Sequence, residues 1–417
     1  MIVQYDREVQ RYPIKIWTGD LEAIEPGCLE QAVNLSNLPF IHKHVALMPD
    51  THQGYGMPIG GVIACEKAII PNAVGVDIGC GMSFVQTNIP ARLLTEIETP
   101  NGILGKAVAA NIMRNVPIGF ERHDKMQSSG ALDSFEYSDS DEQRSRHLKL
   151  YEGCFPNAYY QLGTLGGGNH FIELQEDEEG NIGIMLHSGS RNLGKQICDH
   201  FNRVARTLNE RWFSVVPTSH ELAFLPTESP EGVDYIAWMN LALDFARENR
   251  DRMMVVVQDI LFDMIGRYVG TGYPGNKTGL AVNCHHNYAT MENHFGKNVW
   301  VHRKGAIRAR EGEVGIVPGA MGSYSYVIRG KENPESFHSC SHGAGRRCSR
   351  SAAKKEFSVE YVITSLKQDG VIIGKQNKSN VAEEFKGAYK DIDEVVNQEM
   401  DLLEPIKKLK TVVVVKG

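Results

Sequence analysis

Five short segments of this chain set an ionisable or soft ligand among glycines. VDIGCGM carries Asp77 and Cys80, GGGNHFIE carries Asn169, His170 and Glu173, and MLHSGSR carries His187 and Arg191. NCHHNY carries His285, His286 and Asn287, and SCSHGAGRR carries His342, Arg346 and Arg347. A thiolate has several lone pairs and full charge, so it can bridge two cations. Asp, Cys and several His together form a borderline ligand set for divalent first-row metals. No CxxC pair occurs, so the spacing is not that of a structural zinc site; a partly open catalytic site is expected. Each segment also has a plainer use. Asp-x-x-Cys suits a buried core cysteine, and His187 ends the apolar run IGIML and suits a core imidazole. Neighbours on a strand face opposite ways, so one of His285 and His286 is expected to be structural.

Two glycine loops, GTLGGGNH and VPGAMGS, can present backbone N–H groups to an anion, though neither is a standard nucleotide fingerprint. Residues 342–355, HGAGRRCSRSAAKK, hold five Lys/Arg and no acid. Arginine binds phosphate bidentately, so Arg346, Arg347 and Arg350 suit a polyanion. A solvated basic helix face is the alternative.

The elements that must position these residues are legible in part. Residues 44–87 read as short strands broken by glycine, with GGVIA, GVDIG and MSFVQT as strands. A second strand cluster follows at 162–188. Ile197, Phe201, Val204, Leu208 and Trp212 share one helical face, as do Met253, Val256, Val257, Ile260, Leu261 and Met264; both stripes are expected to face the core. Residues 121–145 read as a polar surface loop, and 214–232 as a loop between helices. Strands return over 299–328, a helix is expected near 391–402, and TVVVV leads to Lys416. Strands and helices do not alternate regularly, so the fold class is α+β. A length of 417 residues would allow two or three domains, yet no boundary is visible. A common site requires one compact unit over 1–417.

At 42% apolar and 23% charged residues, the composition excludes a disordered tail or a fibre. No apolar run reaches the length of a membrane span, and MIVQYDREVQ lacks the apolar region of a secretory signal. Eight scattered cysteines then point to a reducing cytoplasm. The net charge of −7 argues against a nucleic-acid coat protein, while leaving room for a local basic cleft.

With these motifs in view, the chain resembles the RtcB family of RNA-splicing and RNA-repair ligases. The resemblance runs from KIWTGDLE and HVALMPDTHQGYG through VGVDIGCGM, LGTLGGGNHFIE, MLHSGSR, CHHNY, PGAMG and SHGAGR to VVVVKG. It implies a single domain with a strand-rich core, surrounding helices and a central metal and nucleotide cleft. It implies a GTP- and Mn²⁺-dependent ligase that joins an RNA 3′-phosphate or 2′,3′-cyclic phosphate end to a 5′-hydroxyl end. By the same resemblance Asp77, Cys80 and His170 hold one manganese and Cys80, His187 and His286 the other. His342 is the nucleophile that takes GMP. Asn169, His170, Phe171, Ile172, Glu173, His286, Asn287, Pro318, Gly319, Ala320, Met321, Ser325, His342, Gly343, Ala344, Gly345 and Lys416 surround the guanylate. Ala320 departs from the serine common in the family, which removes one hydroxyl contact. Arg191, Arg346, Arg347 and Arg350 are candidate RNA phosphate contacts. The RNA is expected to be a tRNA in splicing or a damaged RNA in repair, and an accessory activator protein is compatible with this scheme.

Two other readings use the same residues. A two-metal phosphoesterase would cleave cyclic phosphate ends without a covalent histidine. A non-catalytic protein would bind RNA ends around structural metals.

Overall fold

Two β-sheets supply the frame in the computed structural model, which describes residues 1–136, 141–270, 278–374 and 378–417. The larger sheet runs in the order Thr278–His285, Gly81–Pro90, Asn181–Ser188, Phe171–Glu176, Leu403–Lys416, Tyr324–Gly330, Val314–Val317. Ile372–Gly374 adds to it as a parallel neighbour of Leu403–Lys416. The second sheet orders Ile2–Gln4, Ile14–Ile16, Ile41–His52, Ile59–Cys65, Lys297–Lys304 and Asn287–His294. The large sheet's register carries a consequence for function. His285 pairs with Gly81, Ser188 with Gly81, His187 with Phe171, and Phe171 with Lys416. The chemistry-bearing ends of five strands therefore line up at one end of this sheet.

Both faces are covered. The helix Pro230–Tyr268 starts with Ser229, whose hydroxyl accepts the Gly232 N–H at 3.1 Å, and with Pro230 in the first turn. Met253, Val257 and Leu261 are fully buried against the large sheet, with Met264 nearly so. Val256 and Ile260 pack at the edge of that cluster. At about 25 cal/mol per Å² of apolar area, each such side chain contributes roughly 1.5–3 kcal/mol. The helix Arg191–Arg211 buries Ile197 and Phe201, with Val204 and Leu208 at the margin. Trp212 lies beyond the helix end and is exposed, so the expected stripe stops one turn early.

Other expectations also need correction. GVDIG is not a strand but a turn: the Cys80 N–H folds back onto Asp77 O at 3.1 Å, and Gly79 N–H goes to Asn287 O at 2.8 Å. The loop expected over 121–145 contains the helices Gly130–Glu136 and Asp141–Arg146. Leu132 and Phe135, one turn apart, bury themselves beside Trp238, and that apolar pair orders the first helix. Residues 137–140 of that expectation lie outside the described residues. The stretch 214–232 holds a helical turn Thr218–His220 and a short strand Leu225–Pro226, and the long helix already begins at Pro230. TVVVV is the end of a 14-residue strand, Leu403–Lys416. The helix expected near 391–402 is Ile392–Gln398. Among the described residues no helix is long and apolar enough to cross a membrane.

Candidate metal centre and nucleotide pocket

The aligned strand ends bring three of the five glycine-bracketed segments together, and the crossing into the second sheet brings the fourth. His286 sits between the strands Thr278–His285 and Asn287–His294; its N–H donates to Cys80 O at 2.8 Å. Cys80 Sγ lies 3.5 Å from His170 Nε2 and 3.2 Å from His187 Nε2. His170 Nε2 is 3.1 Å from Asp77 Oδ2, and His187 Nε2 is 3.3 Å from His286 Nε2. Two groups result, Asp77–Cys80–His170 and Cys80–His187–His286, each with its ligand atoms within 4.8 Å of one another. Cys80 belongs to both.

The polar partners on the far side of the imidazoles show that this is not an ordinary hydrogen-bonded core. His170 Nδ1 donates to Leu165 O at 2.8 Å, and His187 Nδ1 donates to Asn169 O at 3.2 Å. Each ring therefore turns a bare Nε2 lone pair toward the sulfur. Asp77 Oδ1 and His286 Nδ1 have no protein partner among the described residues. Burial pushes the Cys80 thiol well up, with the Asp77 charge adding to it, and pushes His187 and His286 well down. Facing lone pairs, a carboxylate and a sulfur gain nothing from one another in a dry site; divalent cations satisfy all of them. The donor set fits a two-cation centre. A third group, Glu292–His294–His338, does not, because Arg303 already forks onto the Glu292 carboxylate from Nη1 and, at 3.2 Å, from Nη2.

His342 follows the strand Ser339–Ser341 and faces the centre: its ring lies 4.8 Å, centroid to centroid, from that of His286. Asp50 holds it. The Asp50 Oδ2 accepts both the His342 backbone N–H, at 3.1 Å, and the ring Nδ1–H, at 2.6 Å. Asp50 is fully buried. With the proton fixed on Nδ1, Nε2 is left with a free lone pair.

Beside His342 opens a pocket lined by Asn169, Phe171, Glu173, Pro318, Gly319, Ala320, Met321, Gly343, Ala344, Gly345 and Lys416. Of the other residues expected there, His170 and His286 belong to the metal-ligand groups, and three more sit behind the wall. Ile172 points into the core with Leu174 and Val413, as strand alternation requires once Phe171 and Glu173 face the pocket. Ser325 accepts from Gly319 N–H and Gln175 Nε2, each at 3.1 Å, and so shapes the loop. Asn287 accepts from Gly305 N–H at 2.9 Å and donates to Asp77 O at 3.1 Å, bracing the metal loop. Burial raises the Glu173 carboxyl to about 7 against the hydrogen bonds of Thr411 and Gln175. Lys416 Nζ is 3.8 Å from Glu384 Oε2 and 5.6 Å from the centre of the Phe171 ring.

The basic segment divides. Arg346 is consumed internally, donating to Tyr389 Oη and Glu383 O, each at 2.7 Å. Arg347 binds Gly387 O and, at 2.9 Å, Glu356 Oε1. Arg350 is about half exposed, with Glu384 at 3.6 Å. Arg191 donates to Thr164 Oγ1 and Gly119 O, each at 3.1 Å, and lines a second cavity that reaches Asp77.

Besides Asp50, sequence reasoning missed Asn249 and Arg250, adjacent on the long helix. Asn249 Nδ2 donates to Thr164 O and Gly189 O, and its Oδ1 accepts from Gly163 N–H and Thr164 N–H. Arg250, fully buried, donates to Gly79 O at 2.8 Å and Ser188 O at 3.0 Å, with His285 Nδ1 at 3.1 Å. The pair laces three ligand loops to one helix. His285 is thus the structural member of its pair. The available signal was an Asn-Arg dipeptide inside an otherwise apolar helical face.

The family described as tRNA-splicing ligase RtcB matches residues 31–417. The chain belongs to the RtcB family of RNA ligases. It is 40% identical over 420 residues to the RNA-splicing ligase RtcB of Escherichia coli strain K12, covering 97% of each. It is 32% identical over 479 residues to the tRNA-splicing ligase RtcB of Thermococcus kodakarensis, covering 100% of this chain and 97% of the relative. The RNA-splicing ligase RtcB of Mycobacterium tuberculosis is 32% identical over 442 residues, covering 93% of this chain and all of the relative. RtcB ligases join 3′-phosphate and 5′-hydroxyl RNA ends, so RNA is the substrate and a metal cofactor accords with the clustered ligands.

Proposed function

We propose that residues 1–417 form one catalytic unit that seals RNA through a guanylylated His342, with GTP as the activating nucleotide and two Mn²⁺ ions as cofactors. Asp77, Cys80 and His170 would hold one ion, and Cys80, His187 and His286 the other; when bound, such cations neutralise phosphate oxygens that otherwise repel a nucleophile. The observation that carries the reading is His342, its Nδ1–H tied to Asp50, facing His286 across the mouth of the pocket.

An RNA 3′-phosphate has no leaving group, so it needs activation. The Nε2 lone pair of His342 attacks the α-phosphorus of GTP, a P–N bond forms and pyrophosphate leaves. The Nδ1 proton stays on the ring and its growing positive charge meets the Asp50 carboxylate. An RNA 3′-phosphate oxygen then displaces His342 from that phosphorus, forming an anhydride. Finally the 5′-hydroxyl oxygen attacks the RNA phosphorus, GMP departs, and the hydroxyl proton passes to solvent. A cyclic phosphate end is first opened by water.

In the pocket, Glu173 suits the donor edge of guanine and Lys416 the phosphate or ribose oxygens. The backbone around Gly319 and Gly343–Gly345 suits the guanylate, and Ala320 contributes no hydroxyl. Of the four arginines, Arg347 and Arg350 leave about half of their side chains exposed for RNA phosphates, whereas Arg191 and Arg346 are held mainly by the fold. We place the protein in the cytoplasm, acting on tRNA halves or on broken RNA, with an accessory protein as activator.

The experiment uses α-labelled GTP with Mn²⁺, followed by paired RNA ends. Label should enter the wild type and not His342→Ala, and only 3′-phosphate plus 5′-hydroxyl ends should join. A wild type that opens cyclic phosphates but never takes label would establish the phosphoesterase instead. Tight RNA binding with neither activity would establish the non-catalytic alternative.

A further inference from the structure

A second cavity, of about 1150 Å³, opens beside the metal centre and is independent of the nucleotide pocket for most of its wall. Asp77 stands at its inner end, the loop around Gly119 and Gly167–Gly168 forms one side, and the first turns of the helix Arg191–Arg211 form the other. On its rim Phe120 exposes its whole side chain. A buried phenylalanine gains roughly 1.5–3 kcal/mol, so a ring that touches nothing is an unused binding surface.

The ring is also held out on purpose-built backbone. Gly119 N–H donates to Gly166 O at 2.9 Å, Gly119 O accepts from Arg191 Nη2 at 3.1 Å, and Glu121 N–H closes the turn onto Ile118 O at 3.1 Å. Both flanks of Phe120 are thereby tied to the fold, so its ring sits at the tip of an anchored turn. Arg191 braces the Phe120 turn through Gly119 O, and Lys195, four residues on in the same helix, lines the cavity with it. Lys195 pairs with Asp199 on the surface, a contact weak enough to exchange for a phosphate. The Glu121 carboxylate next to Phe120 disfavours a phosphate there and leaves the position to an uncharged ring. A cation lining the cavity and a free aromatic face on its rim are the two components with which proteins hold single-stranded nucleic acid.

We propose that Phe120 is the stacking platform for an unpaired nucleobase of the RNA strand whose end enters the metal centre through this cavity, with Arg191 holding the Phe120 turn and Lys195 on the strand's phosphates. The inference rests on the ligase reading above. It predicts tolerance of base identity near the end, since every base offers a π-face, and a preference for single-stranded over fully paired ends.

The test uses the full chain with GTP, Mn²⁺ and RNA carrying 2-aminopurine at each of the first three nucleotides from either end. Phe120→Ala should raise the RNA concentration for half-maximal joining about tenfold, within a span of roughly 5- to 150-fold. GMP uptake, which consumes no RNA, reports separately on folding and on the ligase reading. Phe120→Trp should restore joining, and 2-aminopurine fluorescence at one position should be quenched by the wild type and not by Phe120→Ala. Joining by Phe120→Ala within twofold of the wild type overturns the proposal and leaves Phe120 as a surface for a protein partner. Equal joining by Phe120→Leu and the wild type also overturns it, because an apolar side chain without a π-face would then suffice. A wild type that takes no GMP refutes the ligase reading, and the fluorescence arm then still decides whether Phe120 stacks on RNA.

Discussion

Replacing Asp50 with Asn tests the origin of His342 reactivity with one atom changed. The carboxylate accepts two N–H groups of His342 through a single oxygen, and it is fully buried. In the variant the amide oxygen takes that position, because the backbone N–H of His342 requires an acceptor. The ring keeps its proton on Nδ1, and the nucleophile survives. What disappears is the negative charge facing the imidazolium that forms as Nε2 bonds to phosphorus. Two unit charges near 4 Å at an effective dielectric of 20 interact by about 4 kcal/mol, so a half-developed charge is worth about 2. Exchanging a charge-assisted for a neutral hydrogen bond adds about 1 kcal/mol. The sum, about 3 kcal/mol, corresponds to a roughly 150-fold slower first step. Single-turnover transfer from α-labelled GTP, with excess Mn²⁺, measures it directly. The reasoning fails if Asp50→Asn labels within threefold of the wild type. It also fails if the variant labels normally while RNA joining alone is slowed.

The same geometry makes three further predictions. Metal removal should lower the wild-type Tm by several degrees, since saturation a thousandfold above Kd stabilises by about 4 kcal/mol, whereas Cys80→Ala should respond little to chelator. Equal responses would remove Cys80 from the ligand set. Gly305 has φ +65°, and a Cβ there would sit 2.4 Å from Ile59 Cγ2 and 3.0 Å from His342 Cε1. Gly305→Ala should therefore cost roughly 1–3 kcal/mol and depress GMP uptake more than metal binding, read by denaturant unfolding beside the labelling assay. His302 is buried and neutral, its Nε2 accepting the Ile70 N–H at 3.0 Å, and burial lowers its pKa to about 4. The unfolded chain protonates first, near 6.5, so stability should fall as pH drops from about 6.5 to 4, by about 3 kcal/mol from this group. His302→Gln keeps an acceptor and should flatten that slope in urea titrations, and an unchanged slope would assign it to other histidines.

The gathering of Asp77, Cys80, His170, His187 and His286 was legible because unusual donors in glycine-rich loops have few other uses. Strand alternation was legible too, and would have turned Ile172 away from the pocket had it been applied to FIE beside Phe171 and Glu173. Asp50 was hidden in HVALMPDTHQ because its role exists only once Ser339–Ser341 lies against the second sheet. Asn249 and Arg250 read as polar interruptions of a helix, since their partners are backbone carbonyls that no side-chain pattern advertises. GVDIG misled because β-branched content favours a strand, while the hydrogen bonds of Gly79 and Cys80 close a turn. The basic run 342–355 misled by half, as Glu356, Glu383 and Glu384 that neutralise it arrive later in the chain.

The strand Leu403–Lys416 lies between Phe171–Glu176 and Tyr324–Gly330, joining two halves of the large sheet and delivering Lys416 to the pocket. Nascent or clipped chains that stop short of residue 403 would lack both the seam and the lysine. Such fragments could not linger as sluggish enzymes that guanylylate without sealing; competence would arrive in one step, when that strand joins the sheet.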